Sequence, residues 1–325
     1  MADDNKRKRP YISSRFVLEL DDSGSGGKYM GTLQSIEGGT FKSDLVEEKV
    51  GGSPFVTKYP GRPKFDDVTI QVGMAMAPRF WKWIEQSFSY NAARYSGSLV
   101  ALDYDNRERW RRKFTNALIR EVTFPTLDGA AKEPAYLTVK FAVEHLDDEP
   151  TNMNKYPAEQ QHQNEWEKQK VWLPSMFTYS IDGVTPTPVE TCKIDSFAIK
   201  QEIIEAPGGG ILENAKEPGR IEFPTISVHV LQRDAAPYMR WWDKIVREAE
   251  HTPAQQKTGH IWFLPRDAVG SGALQSQPLV TLDLFGVSLL GVGPVKHDSK
   301  QAQLQKVKLD LSVERIELKP GSGTV

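Results

Sequence analysis

The sequence predicts a mainly β protein: two tandem β-sandwich or barrel domains, each with one helix. Three features predict it. The chain repeats itself, its apolar residues alternate with a period of two, and each repeat holds one aromatic-rich segment with helical spacing. At 325 residues the chain is too long for one ordinary core and fits two domains of usual size.

Sliding the sequence on itself by 158 residues aligns 36–84 with 194–242 without a gap, and 13 of the 49 positions are identical. Average composition would match roughly one position in sixteen. Ile36, Lys42, Glu47, Gly51, Gly52, Lys58, Pro60, Gly61, Arg62, Phe65, Val72, Ala77 and Trp83 recur as Ile194, Lys200, Glu205, Gly209, Gly210, Lys216, Pro218, Gly219, Arg220, Phe223, Val230, Ala235 and Trp241. The borders expected from this repeat are a tail over 1–14, a first domain over 15–146, a linker over 147–175, a second domain over 176–320 and a tail over 321–325.

Each copy opens the same way. Phe16 to Leu20 runs into Asp21-Asp22-Ser23-Gly24, and Phe177 to Ile181 into Asp182-Gly183, a strand entering a turn. Val68, Ile70 and Val72 alternate with polar residues, as do Ile226, Val228 and Val230, the period of a half-buried strand. A helix is predicted over 77–92, with Phe80, Trp81, Trp83, Ile84 and Phe88 for its buried stripe. Tyr238, Trp241, Trp242, Ile245 and Val246 supply the second copy. More β pattern closes each copy, over 99–105, 110–124 and 136–145 and then over 279–292 and 307–318, with Val139, Phe141 and Val143 answering to Leu309, Leu311 and Val313. Between the copies 158–171 is expected to be a short helix. The apolar run Ile261-Trp262-Phe263-Leu264 is expected to lie in an insertion over 260–277 that packs on a neighbour. The segments 46–64 and 204–222, with Gly51, Gly52, Lys58, Pro60, Gly61 and Arg62 in one and Gly209, Gly210, Lys216, Pro218, Gly219 and Arg220 in the other, are expected to be long adaptable loops.

The first copy resembles the phage tail-tube proteins and their relatives in contractile injection systems. The resemblance covers roughly 15–145 and rests on Phe16-Val17-Leu18-Glu19-Leu20-Asp21, on Gly31-Thr32-Leu33-Gln34-Ser35-Ile36-Glu37-Gly38-Gly39, on Tyr59-Pro60-Gly61-Arg62-Pro63-Lys64-Phe65-Asp66-Asp67-Val68-Thr69-Ile70, on Gly73, and on Phe80-Trp81-Lys82-Trp83-Ile84. The second copy keeps Pro218-Gly219-Arg220, Phe223 and Trp241 but has Leu231 for Gly73 and Glu217 for Tyr59. The resemblance implies a structural subunit of a tail tube or of the adaptor between tube and baseplate hub. Such subunits join their sheets into one barrel around a lumen, with a long loop reaching the adjacent ring; the two loops above are the stacking-loop candidates. It also implies hexameric rings. Two linked copies then leave two assemblies open: three chains in a pseudo-six-fold ring, or six chains in a double-layered one. The implied partners are the chain itself and adjacent tube, sheath, baseplate or spike proteins. Assembly is expected in the bacterial cytoplasm, as a component of a phage tail or injection-system particle.

Apolar residues at 39% and charged residues at 26% describe a globular chain, not a disordered one. A formal charge of −2 gives no overall pull toward nucleic acid or an anionic membrane. Cys192 is the only cysteine, which excludes an internal disulfide and multi-thiolate zinc sites. No secretion signal is expected, and Lys6-Arg7-Lys8-Arg9 reads as a solvated tail. The six histidines show no metal-ligand spacing, and Pro207-Gly208-Gly209-Gly210 lacks the Lys-Ser/Thr of a phosphate loop. No catalytic, cofactor or metal site is expected, and the chain is not read as an enzyme. The rival reading is a monomeric β-sandwich that binds carbohydrate on Trp81/Trp83 and Trp241/Trp242.

Overall fold

Alternating segments become strands here because each can bury one face and leave the other wet. The computed structural model describes residues 13, 15–21, 29–49, 51–52, 55–74, 76–89, 92–151, 156, 172–185, 191–206, 214–249, 255–265, 278–295 and 304–321. The first copy runs β1 (Arg15–Leu20), β2 (Tyr29–Gly38), β3 (Phe41–Glu48), β4 (Thr57–Phe65), β5 (Val68–Val72), α1 (Pro78–Ser87), β6 (Tyr95–Leu102), β7 (Glu108–Phe124), β8 (Leu127–Asp128), β9 (Leu137–Ala142) and β10 (His145–Glu149). The second runs β11 (Phe177–Ile181), β12 (Thr191–Ile194), β13 (Phe197–Ala206), β14 (Ala215–Glu222), β15 (Ile226–Leu231), α2 (Ala236–Trp242), β16 (Lys257–Phe263), β17 (Val280–Pro294), β18 (Lys306–Ser312) and β19 (Arg315–Pro320).

The first copy closes into a barrel in the order β7-β6-β1-β2-β5-β9, with β9 returning to β7. Closure removes the edges that a flat sheet would leave open. The second copy repeats the order as β17-β16-β11, then β17-β18-β15-β12. Among the described residues β11 and β12 do not pair; β8 of the first copy pairs with β12 instead, Leu127 opposite Ile194. Every pairing among these strands is antiparallel, and the duplication extends to irregularities: β7 bulges between Ile119 and Glu121 against β9, and β17 bulges between Leu289 and Gly291 against β18.

The apolar faces of both copies merge into one cluster. Trp83 lies near its centre, stacked on Phe114 at 6.5 Å and tilted against Phe141 at 5.5 Å and Tyr95 at 5.7 Å. Helix α1 packs against β2 and β7 of its own copy and against β19 of the other. It is shorter than predicted, starting with Pro78 in its first turn and capped at Phe88. Its counterpart is broken into a 3-10 turn (Gln232–Asp234), α2 and a π-helical turn (Asp243–Arg247). In consequence Val246, predicted to be buried, is exposed, and Trp242 and Ile245 are only half-buried.

The predicted insertion is also corrected. Residues 260–263 belong to β16, the counterpart of β6, and Ile261 and Phe263 are fully buried in the core. A strand with two inward apolar side chains packs within its own barrel first. Asp147, Asp148 and Glu149 stand in β10, where Asp148 and Glu149 meet Arg112 and Lys113 across the ladder. The predicted helix over 158–171 lies outside the described residues. Tyr156, in the stretch between the copies, is buried against Val17, Val100 and Leu102, its N–H donating to the Asn106 carbonyl at 2.8 Å and its hydroxyl to Glu19.

Replacing Trp83 by Ala should cost about 3–5 kcal/mol, since a large, fully buried ring leaves a cavity. Tyr104→Ala, at an exposed site, should stay within about 0.5 kcal/mol. Urea unfolding of the two variants measures the contrast.

Candidate assembly interface

The two segments predicted to be loops are β-hairpins. Lys58, Pro60, Gly61 and Arg62 stand in β4, and Lys216, Pro218, Gly219 and Arg220 in β14. Gly51 and Gly52 form the turn after β3, while Gly209 and Gly210 lie outside the described residues. Pairing outweighs the poor strand propensity of Pro-Gly because the partner strands β3 and β13 supply a ladder that tolerates a bulge, between Ser43 and Leu45 in one and between Gln201 and Ile203 in the other.

The hairpins share register but not surroundings. Hairpin β3–β4 is a two-stranded sheet by itself. Its root is held by Arg112, which donates to the Gly39 carbonyl at 2.7 Å, lies over the Phe41 ring at 4.8 Å and forks onto Asp148 at 2.6 and 2.8 Å. Its charges pair across the strands, Lys58 with Glu47 at 2.8 Å and Lys64 with Asp44 at 2.9 Å. Every β3 residue is exposed.

Hairpin β13–β14 instead reaches onto the first copy. Its first strand pairs with the end of β7, Phe197 opposite Phe124 through Lys200 opposite Glu121. The two Phe rings stack at 4.9 Å, and the Ser196 hydroxyl donates to the Phe124 carbonyl at 2.8 Å. Ile203 packs with Leu118 and Ala142. The returning strand is clamped through its backbone: the Lys216 N–H donates to Glu144 Oε1 at 2.9 Å, and Arg94 donates to the Lys216 carbonyl at 3.0 Å and to Glu217 at 2.6 Å. Asn116, at φ 52°, fixes the other Glu144 oxygen at 2.6 Å. Burial at this seam pushes the Lys216 amine below the ordinary lysine value.

Ile199 and Ile203 are 2% and 8% exposed, whereas their counterparts Phe41 and Leu45 are 48% and 61% exposed. One pattern thus occurs twice, once covered and once bare. Of the predicted helix aromatics, Phe80, Trp81, Trp83 and Tyr238 are fully buried, Trp241 is nearly so and Trp242 is half-buried. The five buried rings offer no flat surface to a sugar. Sequence reading missed Arg94, Asn116, Glu144 and the β7 edge. Glu144 has a counterpart in Glu314 at the later offset that also relates Val143 to Val313, so the second alignment would have found it.

The family described as T4-like virus tail tube protein gp19 matches residues 13–147. The match spans the first copy and none of the second, so the first copy is similar to the proteins of that family. Solved structures similar to the chain include the tube-terminating cap of the anti-feeding prophage, 18% identical over 46% of this chain and 97% of that one, TM-score 0.38. Another is the sheath–tube complex of an extracellular contractile injection system in its extended state, 12% identical over 44% and 88%, TM-score 0.35. A third is the Hcp1 protein of the E. coli EAEC 042 pathovar, 14% identical over 46% and 92%, TM-score 0.26. No curated protein matches. The matched residues hold the first barrel, α1 and the bare hairpin, and the second copy repeats that layout except for β8.

The Arg112 fork holds the Asp148 carboxyl below the ordinary carboxylate range. A depressed folded value stabilises above the unfolded value, about 4, and is lost as pH falls through the folded one. The difference in Tm between the native chain and Asp148→Asn should therefore be present at pH 7 and shrink as the pH falls below the unfolded value and through the folded one.

Proposed function

We propose that this chain is a structural subunit of the tail tube, or of the adaptor joining tube to baseplate hub, in a phage tail or phage-tail-like contractile injection system. It assembles by joining sheets between subunits into a ring around a lumen. The observation that carries the reading is the pairing of β13 with the end of β7, by which two tail-tube-like units already share one sheet inside a single chain. Extended to further copies, the same joint satisfies the remaining open edges. The family match over residues 13–147 supports the tube role.

Three chains in one ring fit the divergence between the copies. Alternating non-identical positions around a six-fold wall suit a three-fold partner such as a spike or hub, whereas a uniform tube needs none. The stacking of rings falls to the turn at Gly51-Gly52 and to the sequence stretch around Gly209-Gly210, both free of strand formers.

Negative-stain electron microscopy of the purified chain, with mass measured in parallel, tests this. Rings with a central lumen and three chains each are expected. Six chains in two layers would make it tube wall, and a monomer at every concentration and salt would overturn ring formation by the chain alone.

A further inference from the structure

Resting on the ring reading, we infer that the joint between chains is a second use of the joint within the chain. Hairpin β3–β4 of one copy docks on the end of β17 in another, with Gln256 and Glu314 as the clamp that takes Lys58. The partner surface is thus the second domain of another copy, not the first.

The free edge is identified by register. Along β17, β18 and then β19 occupy one side, Ser288 opposite Ser312 and Leu284 opposite Ile316. The other side is taken by β16 only as far as Val287. Beyond that point no described strand covers 288–294, and Leu290 is 59% exposed. In β7 the corresponding stretch, beyond the end of β6 at Ala117, is the one that receives β13. The matching bulges align Glu121 with Gly291 and Val122 with Val292. The repeat offset aligns Ile199 and Lys200 with Phe41 and Lys42. Copying the inner joint therefore sets Phe41 opposite Val292 and Lys42 opposite Gly291.

The clamp is duplicated as well. Glu144 and Glu314 occupy the same turn, each with its N–H on the strand behind it, Thr115 in one case and Phe285 in the other. Asn116 and Gly286, at φ 52° and 62°, form the same positive-φ step beside them. Gly97 and Gly259 align β6 with β16, which puts Gln256 where Arg94 stands. Gln256 donates to Glu314 at 2.6 Å, so this pair is in place without a hairpin strand between them. Lys58 is paired with Glu47 in the register that pairs Lys216 with Glu205.

Two further facts give the joint a direction. Pro60 and Pro63 remove N–H donors from β4, leaving β3 as the strand of the hairpin with a full set. The first domain's own receiving edge is already filled by β13 of the same chain. An incoming β3 thus finds its place only on a second domain, and the chains order head to tail with first and second domains alternating.

The test is a disulfide. Directly opposed antiparallel residues have Cα atoms about 4.5–5.5 Å apart, inside the range a disulfide spans. In the full chain with Cys192→Ser, Phe41→Cys together with Val292→Cys should give a ladder of covalent oligomers on oxidation. Phe41→Cys with Val122→Cys should give none. Glu314→Ala should raise the concentration needed for assembly by about tenfold or more, and Lys58→Ala should leave it nearly unchanged because the clamp holds backbone. Rings that form without the 41–292 crosslink, or with a 41–122 crosslink, overturn this joint and leave the ring reading standing. Crosslinked oligomers that never close into rings do the reverse.

Discussion

A strand that outruns its barrel leaves a row of N–H and C=O groups with nothing opposite them, and such a row must find a partner or meet water. β7 is that strand: its first half is held between β6 and β10, its second half only by β9 until β13 arrives from the other copy. Much of the molecule follows from this one pairing. It carries the second hairpin over the first barrel, brings Lys216 to Glu144 and Arg94, and lets Ile199 and Ile203 leave water. At about 25 cal/mol for each Å² of apolar surface, burying two such side chains contributes a few kcal/mol beside the ladder bonds.

The duplicated chain is its own control for this effect. Phe41 and Leu45 have the apolar character of Ile199 and Ile203, occupy the same register, and remain in solvent. The difference lies in the neighbour each hairpin meets. The helices diverge in the same sense: α1 packs on β19 of the second copy, whereas α2 packs on β17 of its own, and Met239 is exposed at the position where α1 buries Trp81. β8, a two-residue strand, adds a second stitch between the copies by pairing with β12, which among the described residues does not pair with β11. Among the described residues the inter-copy seam thus combines backbone pairing, at β7–β13 and β8–β12, with apolar packing and side-chain hydrogen bonds.

Backbone pairing suits repeated assembly because it asks little of side-chain identity. Of the three residues that clamp the returning strand, only Glu144 has an identical counterpart, Glu314, while Arg94 answers to Gln256 and Asn116 to Gly286. What the copies keep is geometry: a bulge at one place in the long strand, a positive-φ residue three positions before it, and a shift in each hairpin at aligned residues, Ser43/Leu45 and Gln201/Ile203. Such features fix the direction of a strand and the height at which it leaves its barrel.

The sequence by itself determined the duplication, the β class, the single helix of each copy and the aromatic interior at Phe80, Trp81, Trp83 and Tyr238, because periodicity and repeated residues are local properties of the chain. It misread 46–64 and 204–222 as loops, since Pro and Gly argue against a strand until a partner in register is supplied. It likewise read 260–263 as an insertion, although these residues are barrel wall. Which edge stays open, which hairpin is covered and which carboxylate meets Lys216 were decided only by the tertiary structure. Those pairings join residues dozens of positions apart, and their free energy comes from surfaces that do not exist until both barrels have formed.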